Sequence, residues 1–187
     1  SAQAQVATPA PLNNDHAESF ESLLIQDRKG RVEPVSTLAS EILRKVAKKT
    51  SWEGMSPTEV FLGMQANPEL WKNIAIIKVA NPEIRRTIGI TGKYASFNSI
   101  VRPREMGGYI LSSDVQAAYA KESNHRNKFD KEIMNVDERV NILMAIFTGD
   151  FLTIFPVPND DNHKWVSINE AKELPAQNAD FARQTVS

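Results

Sequence analysis

There is no cysteine in this chain of 187 residues. That absence excludes a disulfide framework, a thiolate zinc site, a redox CxxC pair and a covalent CxxCH haem attachment carried by the chain itself. It does not fix the compartment, because a domain with an adequate core needs no disulfide in an oxidising space either. An excess of one charge is missing too: 22 Lys and Arg stand against 23 Asp and Glu. No long-range field therefore gathers nucleic acid or anionic lipid. Nor is there a long hydrophobic run. The longest apolar stretches, Ile74 to Ala80 and Val140 to Phe147, fall far below the ~20 residues of a spanning helix, which predicts a water-soluble polypeptide. Nucleophile-elbow, Walker and dinucleotide-glycine patterns are absent, and Gly107-Gly108 is a lone pair too weak to cradle a phosphate.

What remains is a globular composition, 41% apolar and 24% charged, in a length suited to one domain with a sizeable core. The start, SAQAQVATPAPLNND, has no positive charge and no apolar h-region, so it does not read as a signal peptide. Residues 1–15 read as a linker, 16–174 as the globular body and 175–187 as a linker or frayed tail.

The most informative stretch is Phe20 to Val46, FESLLIQDRKGRVEPVSTLASEILRKV. A short apolar-centred run ends at Asp27, Gly30 can supply the positive φ of a sharp turn, and Pro34 sets an extended approach. Ser36 or Thr37 is placed to cap a helix whose Leu38, Ile42, Leu43 and Val46 share one face. That is a strand-turn-helix unit.

Further along, Ser56-Pro57-Thr58-Glu59 has the spacing of a capping box. Asn67-Pro68 opens a helical turn through Trp71, Ile74 to Val79 reads as a buried strand, and Asn81-Pro82 starts a helix ended near Gly89. Gly92 to Val101 leans towards a helical turn. Tyr109 to Leu111 reads as a strand, followed by a helix capped by Ser113 or Asp114. From about Asn124 to Phe147, apolar residues recur at three and four, which predicts a long central helix stopped by Gly149. Phe151 to Phe155 and Trp165 to Ile168 read as a hairpin, and Glu170 to Leu174 as a last helical turn. The expected architecture is α+β: a helix-rich single domain with short strands and one long central helix, in which strand order is not legible.

The segment LLIQDRKGRVEPVSTLASEILRKV resembles an extracytoplasmic segment of the Ccs-type cytochrome c biogenesis membrane proteins of Bacteroidetes and relatives (System II, the ResB/CcsA-like haem lyases). The VFLGM block at Val60 to Met64, the GKYASF block at Gly92 to Phe97, and RNKFDKE through VDERVNIL at Arg126 to Leu143 extend the likeness from about Phe20 to Phe147. None of these blocks is a catalytic signature. The resemblance implies a soluble extracytoplasmic domain at the periplasmic face of the inner membrane, acting in haem delivery or apocytochrome presentation. Its implied partners are the membrane-embedded remainder of the same protein and apocytochrome c, with no nucleic acid. The haem-binding histidines and WWD segment of that family have no match here, so the implied parent, a cytochrome c synthetase, handles haem elsewhere. No cofactor, metal or catalytic residue is expected in this fragment.

Side-chain constellations agree with that expectation. His16, His125 and His163 all have polar neighbours and no metal-pair spacing. Met64, Met134 and Met144 fall on apolar helical faces and read as core. The acidic pairs Asp130/Glu132 and Asp137/Glu138 have basic residues one turn away, Arg126 for Asp130 and Lys128 for Glu132, and read as a solvated, ion-paired face. Asp160-Asp161 lacks calcium-loop spacing. The remaining group of interest is Gln26, Asp27, Arg28 and Arg31, around the turn, where loops on rigid elements concentrate binding residues. Asp27 could equally accept turn N–H groups and pair with Arg31. A free-standing secreted binding module on the same scaffold is the alternative function, and a hydrolase built on the acidic pairs has least support.

Overall fold

In the computed structural model, which describes residues 21, 23–26, 31–151, 153–156 and 165–167, a short strand runs into a helix with no loop between them. Strand β1 (Leu24–Gln26) pairs antiparallel with β2 (Val32–Pro34), Leu24 opposite Pro34 and Gln26 opposite Val32. Pro34, extended at φ −64°, is itself the N-cap of α1 (Val35–Ala47). The expected Ser36 or Thr37 cap is not used. One orphan donor of the first turn is satisfied across the hairpin instead, Val35 N–H donating to the Leu23 carbonyl at 2.9 Å, and the helix starts earlier than a side-chain cap would place it. Leu38, Ile42, Leu43 and Val46 are all buried on its inner face.

Local signals set the next elements. Ser56 and Glu59 form a reciprocal capping box at 3.3 and 2.7 Å and begin α2 (Pro57–Ala66). Asn67 accepts from Leu70 N–H at 3.2 Å and begins α3 (Pro68–Trp71). Trp71 is buried against α2, where a Cβ on Gly63 would stand 2.8 Å from Trp71 Nε1; the backbone approach requires glycine there. The strand expected over 74–79 shrinks to β3 (Ile77–Lys78), because a turn closes between Ile74 and Ile76. It pairs antiparallel with β4 (Tyr94–Ala95). Between them lies α4 (Pro82–Ile88), capped by Asn81 and ended by Gly89 at φ 83°.

The block after Gly92 divides into β4 and the short helix α5 (Phe97–Ile100). Tyr109 to Leu111 makes only a bridge from Tyr109 to Val101, since Leu111 already caps α6 (Ser112–Ala120) and no side chain of Ser113 or Asp114 does so. The long helix α7 (Lys128–Thr148) starts at Asn127, which exchanges hydrogen bonds with Asp130 at 2.8 and 2.9 Å. Residues 123–125 form a separate 3-10 turn, and Gly149 ends α7 at φ 78°. Strands β5 (Thr153–Pro156) and β6 (Trp165–Ser167) form the expected antiparallel hairpin, in a sheet ordered β2-β1-β5-β6. The result is the helix-rich α+β domain with one long helix. Residues 1–15, 175–187 and the helical turn expected at 170–174 lie outside the described residues.

Of the acidic residues of α7, Glu138 is exposed but Asp130, Glu132 and Asp137 do not form a solvated face. Asp130 and Asp137 are buried, and so is Arg139. Asp130 pairs with Lys121 at 2.6 Å rather than Arg126, and Glu132 with Arg139 at 3.3 Å rather than Lys128. The partners used lie nine residues back, on the end of α6, and seven residues on, two turns along α7 itself. The Arg139 side chain, only 5% exposed, donates from Nε to the Lys45 carbonyl at 3.1 Å and from Nη1 to the Lys78 carbonyl. Glu132 also accepts from Ala80 N–H at 3.0 Å. One guanidinium thus ties the end of α1, β3 and α7 together. Arg139→Met leaves Glu132 and two carbonyls behind, and should lower unfolding free energy in urea by about 3–5 kcal/mol. Glu138→Gln, which cuts the exposed Lys45–Glu138 pair, should cost under about 1 kcal/mol. Equal losses would contradict this assignment.

Candidate functional site

Alternation along β1 and β2 sorts their side chains onto two faces. Ile25 and its cross-strand neighbour Glu33 point inward and are buried. Leu24 and Val32 point outward at 55% and 51% exposure, beside Leu23 at 48%. Those three are half of the large exposed hydrophobic residues among the described residues, the others being Met106, Tyr119 and Met144. Val32 also lies on β2, an edge strand of the sheet. An apolar cluster on an edge hairpin is a candidate contact surface by composition and position.

Of the four residues singled out around the turn, Gln26 ends β1 opposite both Val32 and Thr153, and Arg31 precedes β2. Asp27 and Arg28 lie outside the described residues. Arg31 approaches Glu33 at 3.7 Å and Glu41 of α1 at 3.9 Å. The second contact reaches from the hairpin to the helix it leads into, as an exposed pair of small energetic weight. The aliphatic pair Leu24 and Val32 was not among the sequence candidates.

Beside the hairpin, Leu38, Glu41, Ile42, Lys45, Ile142 and Phe151 line a surface depression of about 130 Å³ between α1 and α7, below the roughly 300–1,000 Å³ usual for small-molecule sites. Among the described residues no three His, Asp or Glu side chains converge as a metal-binding group. His125 is exposed and near Glu122 at 3.7 Å. Met64 is core as expected, whereas Met144 is 40% exposed, because its place on α7 lies at the edge of the buried stripe. No described helix is long and apolar enough to cross a membrane.

Asp137 forms a second polar cluster, accepting from Tyr109 Oη at 2.7 Å, Tyr119 Oη at 3.4 Å and Asn141 Nδ2 at 3.1 Å. It latches α6 and the preceding loop onto α7. Burial, then donation to Asp137, pushes the Tyr109 phenol far above its usual range, and burial followed by the Asp137 charge raises Tyr119 as well. Asp130 moves the other way, its carboxyl held low by the Lys121 ammonium and then by Asn127 N–H.

No family model matches this chain. The chain is similar to part of Protein NrfI. It is 35% identical to that protein of Wolinella succinogenes over 156 residues, 83% of this chain but 17% of NrfI. The chain therefore spans about a sixth of the length of the curated relative it matches. With 156 of 187 residues matched, 31 remain outside, so a continuous match includes α1 through α7 wherever it begins. The likeness to NrfI thus concerns the whole helical body.

The titration directions give signed expectations. Asp130 is lowered, so its stabilisation is full above the unfolded carboxyl pKa near 4 and is lost as pH falls through the folded value. Tyr109 is raised, so its contribution is full below about pH 10 and is lost as pH rises. Urea unfolding across pH should show Asp130→Asn flattening the acid limb of the stability curve and Tyr109→Phe flattening the alkaline limb. Limbs unchanged from the parent would refute these pairings.

Proposed function

We propose that this chain is an extracytoplasmic domain of a cytochrome c biogenesis membrane protein of the haem lyase or haem export kind, acting in haem delivery or apocytochrome presentation. The observation that carries the reading is the likeness to NrfI, which takes in the entire helical body yet amounts to 17% of that protein. A domain that matches one segment of a much longer polypeptide fits a module working beside other parts. The Ccs-type wording of the Phe20–Val46 segment supports the same placement, at the periplasmic face of the inner membrane.

On this reading the fragment has no catalytic centre and holds no haem. Thioether formation belongs to other parts of the parent, a cytochrome c synthetase. What this domain contributes is surface. The β1–β2 hairpin, with Leu24, Val32 and the flanking Gln26 and Arg31, meets the membrane-embedded remainder of the same protein and positions it towards apocytochrome c. Aliphatic side chains left half exposed on an edge hairpin are stabilised by such a contact.

Leu24→Asp combined with Val32→Asp in the full-length parent should lower mature cytochrome c, read by haem staining of cell extracts, about tenfold, equivalent to ~1.4 kcal/mol of lost contact. The isolated domain should stay folded with a small drop in melting temperature, since both side chains are already half exposed. Wild-type maturation with the altered protein at normal abundance would overturn the proposal.

A further inference from the structure

A second surface lies where α1 ends. Tyr94 is fixed there by donating its hydroxyl to the Ala47 carbonyl at 3.2 Å and by packing edge-on to Trp52, ring centroids 5.3 Å apart. Two ammonium groups sit over this aromatic platform. Lys49 Nζ is 4.6 Å from the Trp52 ring and 5.3 Å from the Tyr94 ring, and Lys78 Nζ is 4.7 Å from the Tyr94 ring. The two ammonium groups are therefore no further apart than the sum of their distances to that one ring.

Elsewhere in the molecule lysines meet carboxylates: Lys45 with Glu138, Lys72 with Glu69, Lys121 with Asp130. Among the described residues Lys49 and Lys78 have no such ion pair. Lys48 and Lys93, exposed and adjacent in the chain to Lys49 and Tyr94, add two more positive groups without a carboxylate. A ring quadrupole orients a cation but does not neutralise it, and the exposed carboxylate of Glu53 beside Trp52 offsets only one of the positive groups, so the cluster keeps a positive potential. The backbone outliers fall in the same loop: Lys48 at φ 57° and Glu53 at φ 47° are the non-glycine residues with positive φ among the described residues.

We propose that Lys49, Tyr94 and Lys78 form a docking site for an acidic segment of a partner polypeptide, whose carboxylates seat on the two ammonium groups. Charge complementarity is the argument for an anionic partner. The absence of an aliphatic or aromatic anchor decides which kind. Trp52 is 7% exposed, and none of the large exposed hydrophobic residues belongs to this cluster, so nothing here inserts into a bilayer. Trp52 is buried and Tyr94 has both ammonium groups within 5.3 Å of its ring, so neither ring is offered as a free stacking platform for nucleic-acid bases. The site is independent of the role in cytochrome c biogenesis and stands whether or not that role holds.

Titration of the ¹⁵N-labelled chain with a hexaglutamate peptide at low salt, followed by ¹H–¹⁵N correlation spectra, should move the amides of residues 48–53, 78 and 93–95. Lys49→Gln with Lys78→Gln should weaken binding about tenfold and Lys49→Gln alone about threefold, while Lys49→Arg with Lys78→Arg retains it. Raising the salt to 0.5 M should abolish the shifts. Circular dichroism checks that each variant is folded, and the single variant serves if the double one is not. No shifts at millimolar peptide, or shifts indifferent to the Gln variants, would overturn the proposal. So would equal shifts with inorganic phosphate at matched concentration, which mark a small-anion site. Stronger binding to phosphatidylglycerol vesicles than to the peptide would overturn it in favour of a lipid surface.

Discussion

The buried guanidinium of Arg139 is the constraint on which the arrangement depends. A desolvated cation is tolerable only where it is paired, and here the Lys45 carbonyl accepts from Nε while the Lys78 carbonyl and the Glu132 carboxylate accept from Nη1. These acceptors come from three elements far apart in the chain. The carbonyl of Lys45 also sits in the last turn of α1, where the helix dipole favours a cation. Apolar packing brings α1 onto α2 and α6 onto α7, but grease alone permits sliding. The guanidinium fixes one rotation of α7 against the end of α1 and against β3.

With α1 so fixed, both candidate surfaces are presented at its ends. The β1–β2 hairpin enters α1 directly through Pro34 and is held to its first turn by the Val35 N–H to Leu23 carbonyl hydrogen bond. The lysine-aromatic cluster follows its C-terminus, where Tyr94 holds the Ala47 carbonyl. Thirteen residues of helix separate the two by roughly 20 Å. An apolar contact at one end and a cationic contact at the other would let one rigid helix bridge two neighbours. The buried interior around Phe61, Trp71 and Ile76 serves as the support for these surfaces.

Much of this was legible in the sequence where one residue type has one physical use. Ser56 with Glu59, Asn67 with Pro68, Asn81 with Pro82, and Gly89 and Gly149 announced helix ends, and the structure uses each of them. The start of α1 was misplaced because its cap is a carbonyl across a hairpin, which no local pattern reveals. The charged positions of α7 were misread because i,i+4 spacing offers Arg126 and Lys128, whereas burial selects Lys121 before the helix and Arg139 two turns along it. At the contact surfaces, the turn carrying Arg31 was visible from its glycine and charges. Leu24 and Val32 were hidden by their apolar character, which reads as core until strand pairing shows the outward face. The cluster around Tyr94 joins residues some fifteen to forty-five positions apart and needed the fold to bring it together.

The central claim is that this domain works by contact through its hairpin. Site-specific photo-crosslinking in cells tests it most directly, with a photoreactive residue at position 24 or 32 of the full-length protein and at Asn135, exposed on α7, as control. Adducts from 24 and 32, identified by mass spectrometry as segments outside this domain or as a partner chain, with none from 135, are the predicted result. No adducts from the hairpin, or the same yield from Asn135, would contradict the account.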